Sequence, residues 1–158
     1  MRKLLHLLPV LASAILAMPA NAGEITGQLA VSVTIVASCR MSLDTTTLSF
    51  GEVTQDAGSA DAGAEVGVRC SRDQPYAITF DNGQHAEGAQ RRMGNGSATV
   101  AYQLYSDAAR LHPLGASDGL RGVGNGDDQD LPVYARLQVA RDTPTGRYAD
   151  VVRMTVTW

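Results

Sequence analysis

Apolar and polar residues alternate with a period of two through most of this chain, and no apolar repeat at helical spacing interrupts the pattern. Tyr76, Ile78 and Phe80 share one phase against Ala77 and Thr79, as do Val100, Tyr102 and Leu104 against Ala101 and Gln103. Leu131, Val133, Ala135, Leu137 and Val139 repeat the arrangement. The final run sets Tyr148, Val152, Met154, Val156 and Trp158 on one face and Val151, Arg153, Thr155 and Thr157 on the other. Turn signals separate these runs at Asn82-Gly83, Asn95-Gly96, Asp118-Gly119, Asn125-Gly126 and Pro144-Thr145-Gly146. Seven or so short strands at such spacing predict an all-β chain folded as a β-sandwich. The stretch from Gly51 to Gly67, rich in Ala, Gly, Asp and Gln, reads as an exposed connection, and Gly122 to Gly126 as an ordinary loop.

A further alternation lies near the N-terminus, where Ile25, Gly27, Leu29, Val31, Val33 and Ile35 share a phase, with Thr26, Gln28, Ser32 and Thr34 between them. From Gly23 to Cys39 this segment has 17 residues, enough to extend over about 50 Å and roughly twice the reach of a strand in a small sandwich. Two readings follow. The segment is the first strand of its own sandwich, or its first half, divided near Val33, leaves the domain and pairs with another subunit.

Residues 1–22 have the form of a secretory leader: Arg2 and Lys3 precede an apolar run from Leu4 to Met18 that ends in Ala20-Asn21-Ala22. The run contains His6 and Pro9 and is shorter than a membrane-spanning helix requires. Removing 22 of the 158 residues leaves 136, starting at Gly23, which suits one domain. The leader takes two of the 13 basic residues, so 11 remain, all Arg, against 16 carboxylates, a formal charge of −5. That balance disfavours nucleic acid or an anionic membrane as a partner. Cys39 and Cys70 are the only cysteines, and export to an oxidising compartment makes a single disulfide between them the expected outcome.

Candidate chemistry is sparse. His85 and His112 neighbour no nucleophile motif, His85 reads as a solvated turn residue, and no enzymatic activity, cofactor or metal is expected. Asn125, Asp127, Asp128 and Asp130 supply oxygen ligands without the spacing of a calcium loop and read as a solvated acidic loop. Asn95-Gly96-Ser97 reads as a hairpin turn, and Arg91 and Arg92 as an exposed strand end too small for a nucleic-acid patch.

A series of short motifs runs the length of the mature chain: Gly27-Gln28-Leu29, Ser38-Cys39, Leu48-Ser49-Phe50-Gly51, Val68-Arg69-Cys70, Pro75-Tyr76, Asp81-Asn82-Gly83 and Arg91-Arg92-Met93. Tyr102-Gln103-Leu104-Tyr105-Ser106-Asp107, Val133-Tyr134 and Gly146-Arg147-Tyr148-Ala149-Asp150 continue it. Their order and spacing resemble the spore coat protein U domain, a family that includes the subunits of archaic chaperone/usher pili. One departure is the absence of a Trp often found after the Tyr-x-Leu-Tyr strand, where Leu111-His112-Pro113-Leu114 stands instead.

The resemblance implies an incomplete immunoglobulin-like β-sandwich that lacks its last strand, with residues 34–158 as the domain and 23–33 as an N-terminal extension. A periplasmic chaperone, and then the extension of the next subunit at the outer-membrane usher, fills the open groove. Ile25, Gly27, Leu29, Val31 and Val33 are then the donor positions, and Val152, Met154, Val156 and Trp158 the groove lining. Such a chain passes through the periplasm to a cell-surface pilus, polymerises with itself and with other pilus subunits as a shaft component, and supports surface attachment and biofilm formation. The competing expectation is a self-contained secreted β-sandwich that binds a ligand or coats a surface.

Overall fold

The computed structural model describes residues 23–42 and 46–158; the leader expected at residues 1–22 lies outside the described residues. The chain divides into two units, Met1–Thr34 and Ile35–Trp158. In the first, residues 23–34 are exposed throughout and carry no strand.

The second unit is all-β, and among the described residues it holds eight strands and no helix. β1 (Cys39–Met41), β2 (Ser59–Cys70), β7 (Asp128–Gln138), β5 (Thr99–Tyr105) and β4 (Arg91–Gly94) form one sheet in the order β1-β2-β7-β5-β4. β6 (Leu120–Val123), β3 (Pro75–Phe80) and β8 (Met154–Thr157) form the other, in the order β6-β3-β8. Every strand pair in both sheets is antiparallel. The core is what the period-two pattern predicts, with Tyr76, Ile78, Phe80, Val100, Tyr102, Leu104, Val133, Ala135 and Leu137 all buried. Leu114 is buried as well, so the Leu111–Leu114 segment contributes an aliphatic side chain to the core.

Cys39 and Cys70 face one another across β1 and β2 and are joined by a disulfide. The Asn95-Gly96 turn joins β4 to β5: Asn95 Oδ1 accepts hydrogen bonds from the Ser97 and Ala98 N–H groups, and Gly96 takes a φ of +94° that glycine tolerates.

Two sequence expectations fail here. The stretch from Gly51 to Gly67 is no exposed connection along its length, because β2 begins at Ser59 and pairs with β7 from Ser59↔Gln138 to Arg69↔Asp128. Its more buried phase carries Ala60, Ala62, Ala64, Val66 and Val68. Alanines are weak strand formers, and the long ladder to β7 overrides their preference. The Gly122 to Gly126 region is likewise part strand, since β6 includes Gly122 and Val123. A side chain at Gly122 would collide with the Tyr76 ring across the β3–β6 pair.

Candidate functional site

The two sheets do not close on each other along one side. β8 pairs with β3 on one edge, and its other edge has no strand partner among the described residues. Beside it opens a cleft of about 810 Å³. Val100, Tyr102, Leu104, Val133 and Leu137 line it from the larger sheet and Phe80 and Met154 from the smaller, with Leu48, Phe50, Val53, Val139, Tyr148 and Val152 completing the lining. An apolar trough with an unpaired strand edge offers what an extended peptide needs, namely main-chain hydrogen bonds and pockets for alternate side chains.

Of the four residues the resemblance places in the groove, Val152 and Met154 line this cleft, whereas Val156 and Trp158 are outside its lining. The phase expected for the final run is present: Val152, Met154 and Val156 are half-buried, and Val151, Arg153, Thr155 and Thr157 are exposed. Trp158 keeps 58% of its surface. The N-terminal apolar positions are almost wholly exposed: Ile25 at 98%, Leu29 at 88%, Val31 at 86% and Val33 at 83%.

At one end of the cleft lies a polar knot that sequence reasoning did not find. The Tyr102 hydroxyl donates to Asp150 Oδ2 at 2.7 Å, the Gln84 N–H donates to Asp150 Oδ1 at 2.9 Å, and His85 Nδ1 lies 3.1 Å from that same oxygen. The Asp150 side chain is only 2% exposed. Burial pushes its carboxyl upward, but hydrogen bonds from Tyr102, His85 and the Gln84 and Val151 N–H groups outweigh that and hold it below the usual carboxylate range. Burial, reinforced by the hydrogen bond to Asp150, pushes the Tyr102 hydroxyl far up. Gly83 has a φ of +81°, and any side chain there would strike the Asp150 carboxylate.

Arg91 is not at an exposed strand end as the sequence suggests; only 1% of its surface is accessible. Its guanidinium donates to the Asp81 carbonyl from Nε (2.9 Å) and Nη2 (2.6 Å), to the Phe80 carbonyl (3.2 Å), to the Leu114 carbonyl (2.8 Å) and to Gln103 Oε1. Burial lowers its pKa from the ordinary arginine value, with Tyr102, Asp81 and Asp150 opposing. Asp81 adds a further tie, its Oδ1 accepting from the Gly83 N–H at 3.0 Å and from the Arg153 N–H at 2.8 Å, just before β8. The Asp-Asn-Gly, Arg-Arg-Met and Gly-x-Tyr-x-Asp motifs, far apart in sequence, thus meet at this knot. The sequence hides it, because Asn82-Gly83 reads as a turn and Arg91 as an exposed strand end.

The remaining candidates are in structural roles. His85 is tied to Asp150, beyond the solvated turn expected for it. His112 Nδ1 lies 3.2 Å from Asp107 Oδ1. The stretch expected to be a solvated acidic loop is part strand, since Asp128 and Asp130 lie on β7 opposite Arg69 and Gly67, and Asp128 accepts from the Ser42 hydroxyl at 2.6 Å and faces Arg69 at 3.6 Å. No group of three His, Cys, Asp or Glu side chains suited to a metal converges among the described residues.

An antiparallel sandwich with one unpaired strand edge beside an open core defines the class: an immunoglobulin-like domain missing a strand. Residues 25–155 match the Spore Coat Protein U domain, and the chain belongs to that family. Its fold is similar to that of the tip adhesion subunit in a CsuC–CsuE chaperone pre-assembly complex of archaic chaperone-usher Csu pili of Acinetobacter baumannii. That likeness has 21% identity and a TM-score of 0.62 and covers 79% of this chain, which spans only 40% of the other. The P pilus rod subunit PapA is similar at 15% identity and a TM-score of 0.55, with 75% of this chain and 97% of that one covered. A chaperone-usher pilus subunit from a study of rod uncoiling gives 13% identity and a TM-score of 0.55, with coverages of 90% and 98%. Comparison with curated proteins finds no match.

Proposed function

We propose that this chain is a structural pilus subunit whose cleft receives an extended segment from a neighbour, and whose own residues 23–33 fill the cleft of the next copy. The observation that carries this reading is the pairing of an unpartnered β8 edge beside an apolar cleft with an alternately apolar, exposed N-terminal segment. Ile25, Leu29, Val31 and Val33 are the groove-filling side chains, and Gly27 takes the position in that phase that adds no bulk. Burying the four aliphatic side chains contributes roughly 6 to 12 kcal/mol before the cost of ordering the segment. Until a neighbour arrives, an exposed apolar cleft is an aggregation hazard, so a periplasmic chaperone fills it and hands the subunit to an outer-membrane usher. The product is a surface fibre that supports attachment and biofilm formation.

The similarity in fold to pilus subunits supports this reading, as does membership of the family. The test compares the full chain with a version lacking residues 24–33, both secreted by the native host, by gel electrophoresis without heating. Ladders that collapse on heating, seen only with the intact segment, are the expected result. A stable monomer from the intact chain, with folding lost on truncation, would instead make this a self-contained β-sandwich using the segment as its own strand.

A further inference from the structure

Between the donor positions and β1, two exposed apolar side chains remain: Ile35 at 90% and Val36 at 75% exposure. They are consecutive, so in an extended chain they point to opposite sides, and a single groove cannot cover both. They also lie on a short tether. Ser38 is fixed to the sandwich, its N–H donating to Ser71 Oγ at 3.0 Å and its carbonyl accepting from the Ser71 N–H at 2.9 Å, and Cys39 is held by the disulfide. From Val33 to Ser38 there are five residue steps, at most about 17 Å of extended chain. Whichever copy holds Val33 in its cleft must therefore bring the rim of that cleft up against Ile35 and Val36.

The end of the cleft at which the tether emerges follows from strand direction. All strand pairs described in this fold are antiparallel. A segment added to the free edge of β8 in the same sense runs from the Thr157 end toward the Met154 end, and its C-terminal side leaves near the residues that precede β8. The rim there carries Val151, which lines the cleft and is 60% exposed. At the opposite end of β8 stands Trp158, 58% exposed.

We infer that residues 34–37 are an apolar joint between successive copies of this chain, with Ile35 and Val36 of one copy docked on the cleft rim at Val151 of the next. The inference rests on the strand-donation reading above. It makes the joint a packed contact that couples the orientation of neighbouring copies, where a polar tether would leave them free to swing.

The test uses paired cysteines in the full chain, secreted by the native host, since the disulfide occupies both native cysteines. Val36→Cys is combined with Val151→Cys in one chain and with Trp158→Cys in another, and unreduced samples are heated before electrophoresis. Heat-resistant, reducible ladders from the Val151 pair and not from the Trp158 pair are the expected result. Ladders from the Trp158 pair alone would overturn the assigned direction. Heat-labile ladders with no covalent product from either pair would overturn the docked joint while leaving strand donation intact. Absence of any ladder in the unmodified chain would sink strand donation itself, and the joint with it. As a second readout, Ile35→Ser with Val36→Ser is expected to keep the unheated ladder but lower the temperature at which it dissociates; an unchanged dissociation temperature would show that the two side chains are not buried.

Discussion

The hydroxyl of Tyr102 donates to the carboxylate of Asp150 at 2.7 Å, and both residues line the cleft. This bond joins β5, an inner strand of the larger sheet, to the segment leading into β8, the strand with the free edge beside the cleft. It therefore sets how far apart the cleft's two sides stand.

Replacing Tyr102 with Phe is expected to destabilise the domain by about 1 to 3 kcal/mol, because a buried carboxylate loses a charge-assisted bond and gains no solvent in exchange. Urea unfolding followed by the fluorescence of Trp158, the only tryptophan in the chain, measures this directly. Polymer yield should fall as well, since the cleft loses the tie that holds its spacing.

Arg91→Met is expected to be more damaging, at about 3 to 5 kcal/mol, because the carbonyls of Phe80, Asp81 and Leu114 lose their donors together. Arg91→Lys should recover little, since one ammonium cannot reproduce the planar spread of donors. The same urea experiment ranks the two variants.

The pH dependence has a definite sign. Asp150 is held below the ordinary aspartate value, so its contribution to stability is fully present above about pH 4 and is lost as pH falls through the lower folded value. The midpoint difference between the parent chain and Asp150→Asn should be constant from neutral pH down to about 4 and shrink below that. Asp61 and Asp107 are lowered too, so both proteins lose stability in acid and only the difference reports Asp150.

What the sequence conveys about this fold is what period two can carry. Ile78, Val100 and Leu137 announce their burial by alternation, and the Asn-Gly and Pro-Thr-Gly clusters mark turns. β2 escapes because Ala60, Ala62 and Ala64 mark its more buried side too weakly; the strand is recognisable only through its ladder to β7. Arg91 escapes for the opposite reason, since a charged residue is assumed to be at the surface unless partners are known, and its partners are carbonyls from Phe80, Asp81 and Leu114. The cleft lining is half legible: Tyr148, Val152 and Met154 follow from phase, whereas Val53 lies in the stretch before β2 that shows no alternation.

Breaking the Cys39–Cys70 disulfide, by Cys39→Ser with Cys70→Ser, removes a closure between residues 31 apart. Chain entropy alone gives a loss of roughly 3 to 4 kcal/mol. The bond also fixes β1, a strand of three residues, to the end of β2, so the secreted yield of the variant should drop sharply; an unchanged yield would mean that β1 is secured by its other contacts.

Val31→Asp tests the donor positions most directly, because it changes a residue that is 86% exposed in the isolated chain and so leaves the domain's own stability nearly unchanged. In a neighbour's apolar cleft the same carboxylate would have to be desolvated without a partner or take up a proton, which costs several kcal/mol. The expected outcome is a variant secreted and folded like the parent, with the same urea midpoint, that forms no ladder in unheated gels. Val31→Ile, which keeps the apolar surface, should polymerise normally. Ladders from Val31→Asp equal to those of the parent would move the donor segment elsewhere in the chain. Loss of secretion by this variant would place Val31 in the subunit's own folding, because a side chain exposed in the free chain has no reason to affect that step.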